Sequence, residues 1–340
     1  MEKKFREGDF IETWQGLIFD VKGLVHPLDR VIAFIRYYPS RAGERRSGKH
    51  LYDKVYSLSK RYEWLRENAS EYLVYDPIFD EVLCEVPISH IKKHYKPIET
   101  LRRLRKTRNP DALERMIVEV ASLLKSSASI PWNAIGASGS VMVGLHTTSS
   151  DIDLVVYGSK NCWRVYHAIE ALFEDNSCPL KPYSPADLRR LFDFRLKDTI
   201  MSFEDFVKTE SRKLLQGKFG ERDYFIRFVK DFNEIGERYG GIHYRNCGYA
   251  KIEADVVDDL EAIFTPCTYK IENVKVIEGP KLQPIKEIVS FRGRFCEQAR
   301  KGETIVAQGK IEHVMDNRSG SEYFRLILGN RPEDYMILKH

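Results

Sequence analysis

Short runs rich in β-branched and aromatic residues, separated by Pro and polar clusters, dominate the first part of the chain. The longest run spans residues 30–38, and shorter runs lie at 9–13 and 16–21. Runs of this composition, bounded by turn residues, are typical of β-strands. The polar and basic stretch 41–50 is expected to be an exposed loop. We therefore predict a β-rich accessory domain over residues 1–96.

The pattern changes at Pro97, which is expected to open a helix because its fixed φ suits the first helical position. Residues 111–125 carry apolar side chains at helical spacing, with Asp111 as the N-cap. Further elements alternate between strand and helix, at residues 132–137, 152–157 and 162–173. Such alternation is typical of an α/β layer. We assign residues 97–266 to a catalytic domain, with the charged stretch 176–240 as a helical insertion.

From residue 267 onward the chain returns to short strand-like runs separated by turns. Four such runs lie at residues 288–292, 304–307, 310–314 and 323–328. Short strands at this spacing are typical of a small barrel. The predicted fold class is therefore α+β, with a mixed-sheet catalytic core between the β-rich N-terminal domain and a small C-terminal β-barrel-like domain over residues 267–340.

Two carboxylates lie one residue apart on a predicted buried strand, in Asp151-Ile152-Asp153-Leu154. Residues i and i+2 of a strand share one face, so both carboxylates are expected to face one cleft. Two like charges near a core repel each other and resist desolvation, and a divalent cation between them would remove both costs. The alternative is a hairpin-edge strand with solvated Asp side chains. The upstream Gly139-Ser140 favours the metal site, because Gly lets the backbone approach a phosphate closely.

The segment from Gly139 to Asp153 resembles the nucleotidyltransferase superfamily typified by DNA polymerase beta, CCA-adding enzymes and kanamycin nucleotidyltransferase. The resemblance is closest to the minimal nucleotidyltransferases, whose pattern is Gly-Ser, ten residues and Asp-x-Asp, as found here. Ser150 matches a Ser that is frequent before the first Asp. More broadly, the chain resembles an archaeal group of predicted nucleotidyltransferases with flanking domains.

The resemblance implies a polymerase-beta-like core with Mg²⁺ or Mn²⁺ held by Asp151 and Asp153. It implies that an NTP, with ATP preferred, binds with its triphosphate against Gly139, Ser140 and Ser150. One metal would activate the attacking hydroxyl, and a second would hold the triphosphate and stabilise the leaving pyrophosphate.

The resemblance also implies a third carboxylate on a later strand, acting as a metal ligand or general base. Asp255 in Ala254-Asp255-Val256-Val257 fits this pattern best, and Glu253 on the same strand face is the rival. The alternative interpretation of both residues is the polar face of an amphipathic strand.

One position departs from the minimal pattern. The Arg that usually follows the Ser by three residues is replaced by Val143, so a cation that could contact the triphosphate is missing there. Lys251 is the nucleotide-binding replacement that we predict, and the other candidates are Arg245, Lys213 and Arg212.

The strongest basic run is residues 91–108, which holds eight Lys and Arg side chains. His94 and Tyr95 lie within it and could stack on bases, so the run predicts an RNA acceptor. The alternative is a solvated face paired with acidic residues of another domain. The formal net charge of +4 does not by itself indicate an acidic partner.

Other compositional features narrow the function class. The six Cys residues are scattered without a CxxC motif, which argues against a zinc site or a disulfide framework. No apolar signal core or membrane-length run is present, so no membrane partner and a cytoplasmic location are expected. Abundant Lys, Arg and Glu with little Gln is typical of thermophiles.

These observations favour a metal-dependent nucleotidyltransferase in which an RNA hydroxyl, or a protein hydroxyl, attacks the α-phosphate of an NTP and releases pyrophosphate. A second hypothesis is a non-catalytic RNA-binding or regulatory protein that retains the nucleotidyltransferase fold, and Val143 is the residue that motivates it. An antitoxin that nucleotidylates a partner toxin ranks below both.

Overall fold

The computed structural model describes residues 4–55, 57–196 and 200–339 of the chain. These residues form a mixed α/β structure built on three sheets. The mixed α/β class predicted from the sequence is confirmed. No helix in the described ranges is long and apolar enough to span a membrane.

The first sheet is antiparallel and contains eight strands from the N-terminal part of the chain. They are β1 (Phe10–Thr13), β2 (Ile18–Val21), β3 (Arg30–Pro39), β4 (Arg45–Ser47), β5 (His50–Lys54), β6 (Leu73–Asp76), β7 (Glu81–Pro87) and β8 (Ile91–Tyr95). Helix α1 (Leu58–Asn68) packs on β3. The predicted loop 41–50 is instead largely the β4–β5 hairpin, which pairs with the end of β3.

The middle of the chain begins with helices α2 (Pro97–Leu104) and α3 (Ala112–Ser127). Pro97 opens α2, as predicted, because its missing N–H would have no partner in the first turn. Asp111 caps α3 in a capping box with Glu114, so the predicted N-cap is also confirmed. Strand β9 (Ile135–Ala137), the short helix α4 (Gly139–Met142), strand β10 (Ile152–Tyr157) and helix α5 (Ser159–Glu174) follow.

The stretch predicted as a helical insertion is only partly helical. Two helices, α6 (Pro185–Arg195) and α7 (Phe203–Glu210), lie beside three strands, β11 (Leu180–Lys181), β12 (Gln216–Phe219) and β13 (Arg222–Val229). Residues 197–199 fall outside the described ranges. In β13, buried Tyr224, Ile226 and Phe228 alternate with partly exposed neighbours, which is the strand period that the helical prediction overlooked.

Strand β13 is central to the second sheet, whose order is β11-β12-β13-β10-β9. It runs parallel to β10, and β9 runs antiparallel to β10 on the other side. Helices α3 and α5 pack against this sheet. The strand that carries Asp153 therefore lies between two neighbours and is rigidly held.

The third sheet forms a barrel from β14 (Ile242–Asp258), β15 (Cys267–Glu278), β16 (Ile285–Ser290), β17 (Thr304–Asp316) and β18 (Ser321–Leu328). The long strand β14 pairs with both β15 and β17, so the ring closes in the order β14-β15-β16-β18-β17. Strand β19 (Tyr335–Leu338) extends it beside β17. The barrel thus begins at Ile242, within the segment that the sequence analysis gave to the catalytic domain.

Candidate functional site

The site begins at the turn between β9 and α4, where Gly139 meets Asp153. Gly139 adopts a φ of +66°, which favours Gly, and a Cβ added there would lie 2.0 Å from Asp153 Oδ2. The backbone N–H of Ser138 donates to the carbonyl of Asp153 at 2.9 Å. The turn therefore packs directly against the carboxylate, and only Gly fits at this point.

Asp151 and Asp153 face one cavity of about 290 Å³. Asp151 is exposed at its mouth and Asp153 is half-buried, whereas Ile152 and Leu154 are buried in the core behind them. The structure therefore confirms the predicted alternation of carboxylates and buried apolar residues along this strand. Gly139, Ser140 and Ser150 line the same cavity.

The cavity disfavours the ionised form of both carboxyl groups. Desolvation, together with the negative charges of Asp153 and Asp223, raises the pKa of Asp151 to about 6. Burial raises the pKa of Asp153 despite the nearby cations Lys54 and Arg227. Two carboxyl groups with raised pKa values in one cavity are typical of a site that gains a cation.

The wall of the same cavity also carries cations that the sequence analysis did not identify. Arg36, Arg45 and Lys54 come from the N-terminal sheet, and Arg227 comes from β13. Burial and the positive charge of Arg36 lower the pKa of Lys54 to about 7, although Asp153 acts in the opposite direction. The cations therefore repel one another, and a bound anion would relieve that repulsion.

A third carboxylate does line this cavity, and it comes from the N-terminal sheet. Asp20 Oδ2 is 2.8 Å from Lys22 Nζ, whereas the buried Asp20 Oδ1 has no hydrogen-bond partner among the described residues. Burial raises the pKa of Asp20, but the charges of Lys22, Arg227 and Arg36 outweigh it and hold the pKa at about 2. Asp20 is therefore ionised, and its Oδ1 lies 3.7 Å from Arg227 Nη1.

Val143, at the position where the minimal pattern has Arg, lies in an apolar cluster. Val143 is buried with Met142 and Leu145 against Phe10 and Tyr37 of the N-terminal sheet. An Arg at this position would place a charge in an apolar contact, which is costly. The same N-terminal sheet supplies Arg36, Arg45 and Lys54 to the cavity instead.

Asp255, predicted as the third carboxylate, requires correction. It lies on β14 of the barrel, where its oxygens accept hydrogen bonds from Thr304 at 2.6 Å and Asn273 at 2.9 Å. Its rival Glu253 lies on the same strand and pairs with Lys339 at 2.6 Å. Neither lines the cavity, so the alternative interpretation, the polar face of an amphipathic strand, describes both residues.

The predicted replacements for the missing Arg also lie elsewhere. Lys251 is on β14, 3.8 Å from Glu278. Lys213 is buried 2.6 Å from Glu210, and Arg212 pairs with Glu303. Arg245 is likewise on the barrel strand β14. These side chains lie on the barrel or contribute to the contacts between the barrel and the end of α7. None of them lines the cavity.

Ser140 and Ser150 have structural roles in addition to lining the cavity. The carbonyl of Ser140 accepts from Leu145 N at 2.9 Å, and Ser150 Oγ accepts from Thr147 N at 2.9 Å. Both residues thus fix the backbone that leads from Gly139 to Asp151.

The basic run 91–108 does not reach the cavity. It forms β8 and α2, and several of its side chains are paired with partners nearby. Lys92 lies 2.9 Å from Glu12, Arg103 lies 3.8 Å from Glu114, and the Arg105 guanidinium stacks on Trp132. These contacts favour the alternative of a partly paired surface for this run.

The two carboxylates of this cavity fit a magnesium ion whose other ligands would come from a substrate and from water. No group of three or more His, Cys, Asp or Glu side chains in residues 4–55, 57–196 and 200–339 is arranged to hold a metal by itself. Mg²⁺ is commonly bound by one or two carboxylates, with water and substrate phosphates as the other ligands. Asp151 and Asp153 provide those carboxylates beside the Gly139 turn.

Comparison with known proteins places the chain among archaeal relatives. No protein-family model and no solved structure matches it. The uncharacterized protein MJ1086 of Methanocaldococcus jannaschii is 34% identical over 340 residues, covering 98% of this chain and 97% of the relative. The chain belongs to the same family as this archaeal protein. The match covers the N-terminal sheet, the α/β unit and the barrel together.

Proposed function

We propose that this protein is a divalent-metal-dependent nucleotidyltransferase. The single observation that carries the proposal is the convergence of Asp151, Asp153 and the Gly139 turn on a cavity that is also lined by cations. An acceptor hydroxyl would attack the α-phosphorus of an NTP, the new O–P bond would form, and the bond to the departing pyrophosphate would break.

The carboxylates would hold the metal, and the metal would supply charge neutralisation for the triphosphate and for the departing pyrophosphate. Asp151 and Asp153 fit this role because burial raises the pKa of both carboxyl groups, and a bound cation would stabilise their ionised forms. Asp20 also lines the cavity, but it is paired with Lys22 at 2.8 Å and Arg227 at 3.7 Å, so it would balance those cations and not hold the metal.

The cationic wall would position the triphosphate. Arg36, Arg45 and Lys54 line the same cavity as the carboxylates, and guanidinium groups bind phosphate oxygens through paired, charge-assisted hydrogen bonds. The Gly139 turn would let the backbone approach the nucleotide at the same time. The N-terminal sheet would thus replace the cation that the minimal pattern has at the position of Val143.

A second candidate function is nucleotide binding without catalysis. The observation that favours it is that Phe225 lies directly opposite Asp153 on β13, the strand next to it in the sheet. The neighbouring strand therefore places an aromatic ring beside Asp153, and its own carboxylate, Asp223, is paired with Lys218 at 2.8 Å. This candidate retains the metal and nucleotide contacts but lacks the transfer step.

The test is transfer of label from each NTP, in the presence of Mg²⁺ or Mn²⁺, to total RNA or to total protein. The proposal predicts labelled product with the wild type and none with Asp151→Asn or Asp153→Asn. Asp255→Asn is the matched control and is expected to retain activity. NTP binding without any labelled product would instead favour the second candidate.

A further inference from the structure

A second and larger cavity of about 650 Å³ lies between the N-terminal sheet and the barrel. Aromatic rings from both parts line it, namely Phe34, Tyr62, Phe79, Tyr244, Tyr249 and Phe291. Phe79 and Tyr244 stack with their centroids 5.3 Å apart and their planes within 7°. Flat rings at a junction between structural units are characteristic of sites for planar ligands.

Arginine side chains accompany these rings. The Arg331 guanidinium lies 3.8 Å from the centroid of Tyr249, and the Arg325 guanidinium lies 3.9 Å from that of Tyr244. Arg325 is buried and paired with Glu312 at 2.8 Å, so its charge is already compensated. Arg66 and Arg331 are exposed to solvent at this cavity, and their charges are accessible to an anionic group.

Carboxylates in the same cavity offer hydrogen-bond acceptors. Glu237 accepts from the Tyr244 hydroxyl at 3.3 Å, and Glu287 accepts from the Tyr323 hydroxyl at 3.1 Å. Stacking rings, solvent-accessible guanidinium groups and carboxylate acceptors match the three chemical parts of a nucleotide, namely its base, phosphate and sugar hydroxyls.

The two cavities share a wall. Lys22 lines the larger cavity, and its Nζ is 2.8 Å from Oδ2 of Asp20, which lines the smaller one. On β3, Phe34 lines the larger cavity and Arg36 the smaller, and residues two apart on a strand share one face. The two cavities are therefore adjacent, with the Lys22–Asp20 pair between them.

We propose that the larger cavity binds the terminal nucleotides of a single-stranded RNA whose end is the acceptor for the smaller cavity. The acceptor role rests on the proposed nucleotidyltransferase function, whereas the binding site itself does not. The barrel supports this assignment, because closure in the order β14-β15-β16-β18-β17 with a parallel β16–β18 pair is the strand order of OB-fold barrels, many of which bind oligonucleotides.

The test measures binding of a fluorescently labelled oligoribonucleotide by anisotropy, in EDTA and without NTP, so that no transfer takes place. The double variant Arg66→Gln/Arg331→Gln is compared with Arg103→Gln/Arg108→Gln, which removes the same charge from the basic run. We expect the first variant to raise the Kd about tenfold or more and the second to leave it within about twofold. Both pairs lie at exposed positions, so both variants are expected to fold.

Three results of the binding experiment would overturn the assignment. One is an unchanged Kd in Arg66→Gln/Arg331→Gln, and another is a larger loss in the basic-run variant. The third is displacement of the oligonucleotide by a mononucleotide at similar concentration, which would indicate a site for a free nucleotide. A lower affinity in the cavity variant with no transfer activity in the wild type would overturn the proposed function alone. Transfer activity with an acceptor KM unaffected by the cavity variant would overturn this inference alone.

Discussion

Gly139 and Asp153 lie so close together that a Cβ on Gly139 would be 2.0 Å from Asp153 Oδ2. The sequence places them fourteen positions apart, and the β9–β10 pairing brings them into contact. The contact fixes one face of the Asp153 carboxylate and leaves its other face toward the cavity. The orientation of this carboxylate therefore depends on the absence of a side chain at Gly139.

Gly139→Ala should lower the rate of nucleotide transfer about a hundredfold without unfolding the protein. The added methyl would displace the Asp153 carboxylate, and a misplacement of about 1 Å in a reacting constellation costs about a hundredfold in rate. The control is Gly220→Ala, since Gly220 also has a positive φ but no atom within 4 Å of an added Cβ. Activity and melting temperature are measured for both variants, and equal activities would show that the contact is unimportant.

Arg36→Gln should weaken NTP binding about tenfold or more, because it removes a charge-assisted contact to the triphosphate. Arg46→Gln is the matched control, since Arg46 is exposed on β4 and does not line the cavity. Binding is measured by calorimetry with a non-hydrolysable NTP and Mg²⁺. Equal affinities for the two variants would remove the N-terminal sheet from the nucleotide site.

Metal binding should depend on pH through Asp151, whose pKa is raised to about 6. An acid with a raised pKa stabilises the metal-free fold while it is protonated, and it loses that contribution as the pH rises through about 6. Mn²⁺ should therefore raise the melting temperature clearly at about pH 7.5 and little at about pH 5. Asp151→Asn should remove this difference, and a pH-independent shift in the wild type would contradict the assignment.

The ion pairs of Glu7 connect the N-terminal part of the chain to β13, and their contribution to stability can be tested. Its buried carboxylate is 2.9 Å from Lys22 Nζ and 2.7 Å from Arg227 Nη1, and it accepts from Gly23 N at 2.8 Å. Glu7→Gln would leave both cations less compensated and should lower the free energy of unfolding by about 3 kcal/mol. Urea unfolding measures this, with the exposed Glu44→Gln as the control at about 0.5 kcal/mol or less.

Local sequence patterns were sufficient to predict the structural features that depend only on residues close together in the chain. The alternation of Asp151 and Asp153 with buried residues, the N-cap at Asp111 and the helix start at Pro97 are all local, and the structure contains each of them. The Gly139 turn belongs to the same group, because Gly adopts a positive φ readily whatever its tertiary surroundings.

Features that depend on tertiary contacts could not be predicted from local sequence patterns. Asp255 satisfied a pattern of a carboxylate between apolar residues, but any amphipathic strand satisfies it, and β14 belongs to the barrel. Arg36, Asp20 and Lys54 lie more than ninety positions before Asp151 and reach the cavity only because the sheets pack together. Val143 is buried. An apolar residue at the position where the minimal pattern has Arg is the sequence signal that another part of the chain covers this turn.

The most direct test of the central claim compares NTP labelled at the α-phosphate with NTP labelled at the γ-phosphate in the same transfer assay. If Asp151, Asp153 and the cationic wall form a nucleotidyltransferase site, the acceptor gains label from the α position and not from the γ position. Asp153→Asn should eliminate that label. Label transferred from the γ position, or no label from any NTP with metal present, would contradict the account.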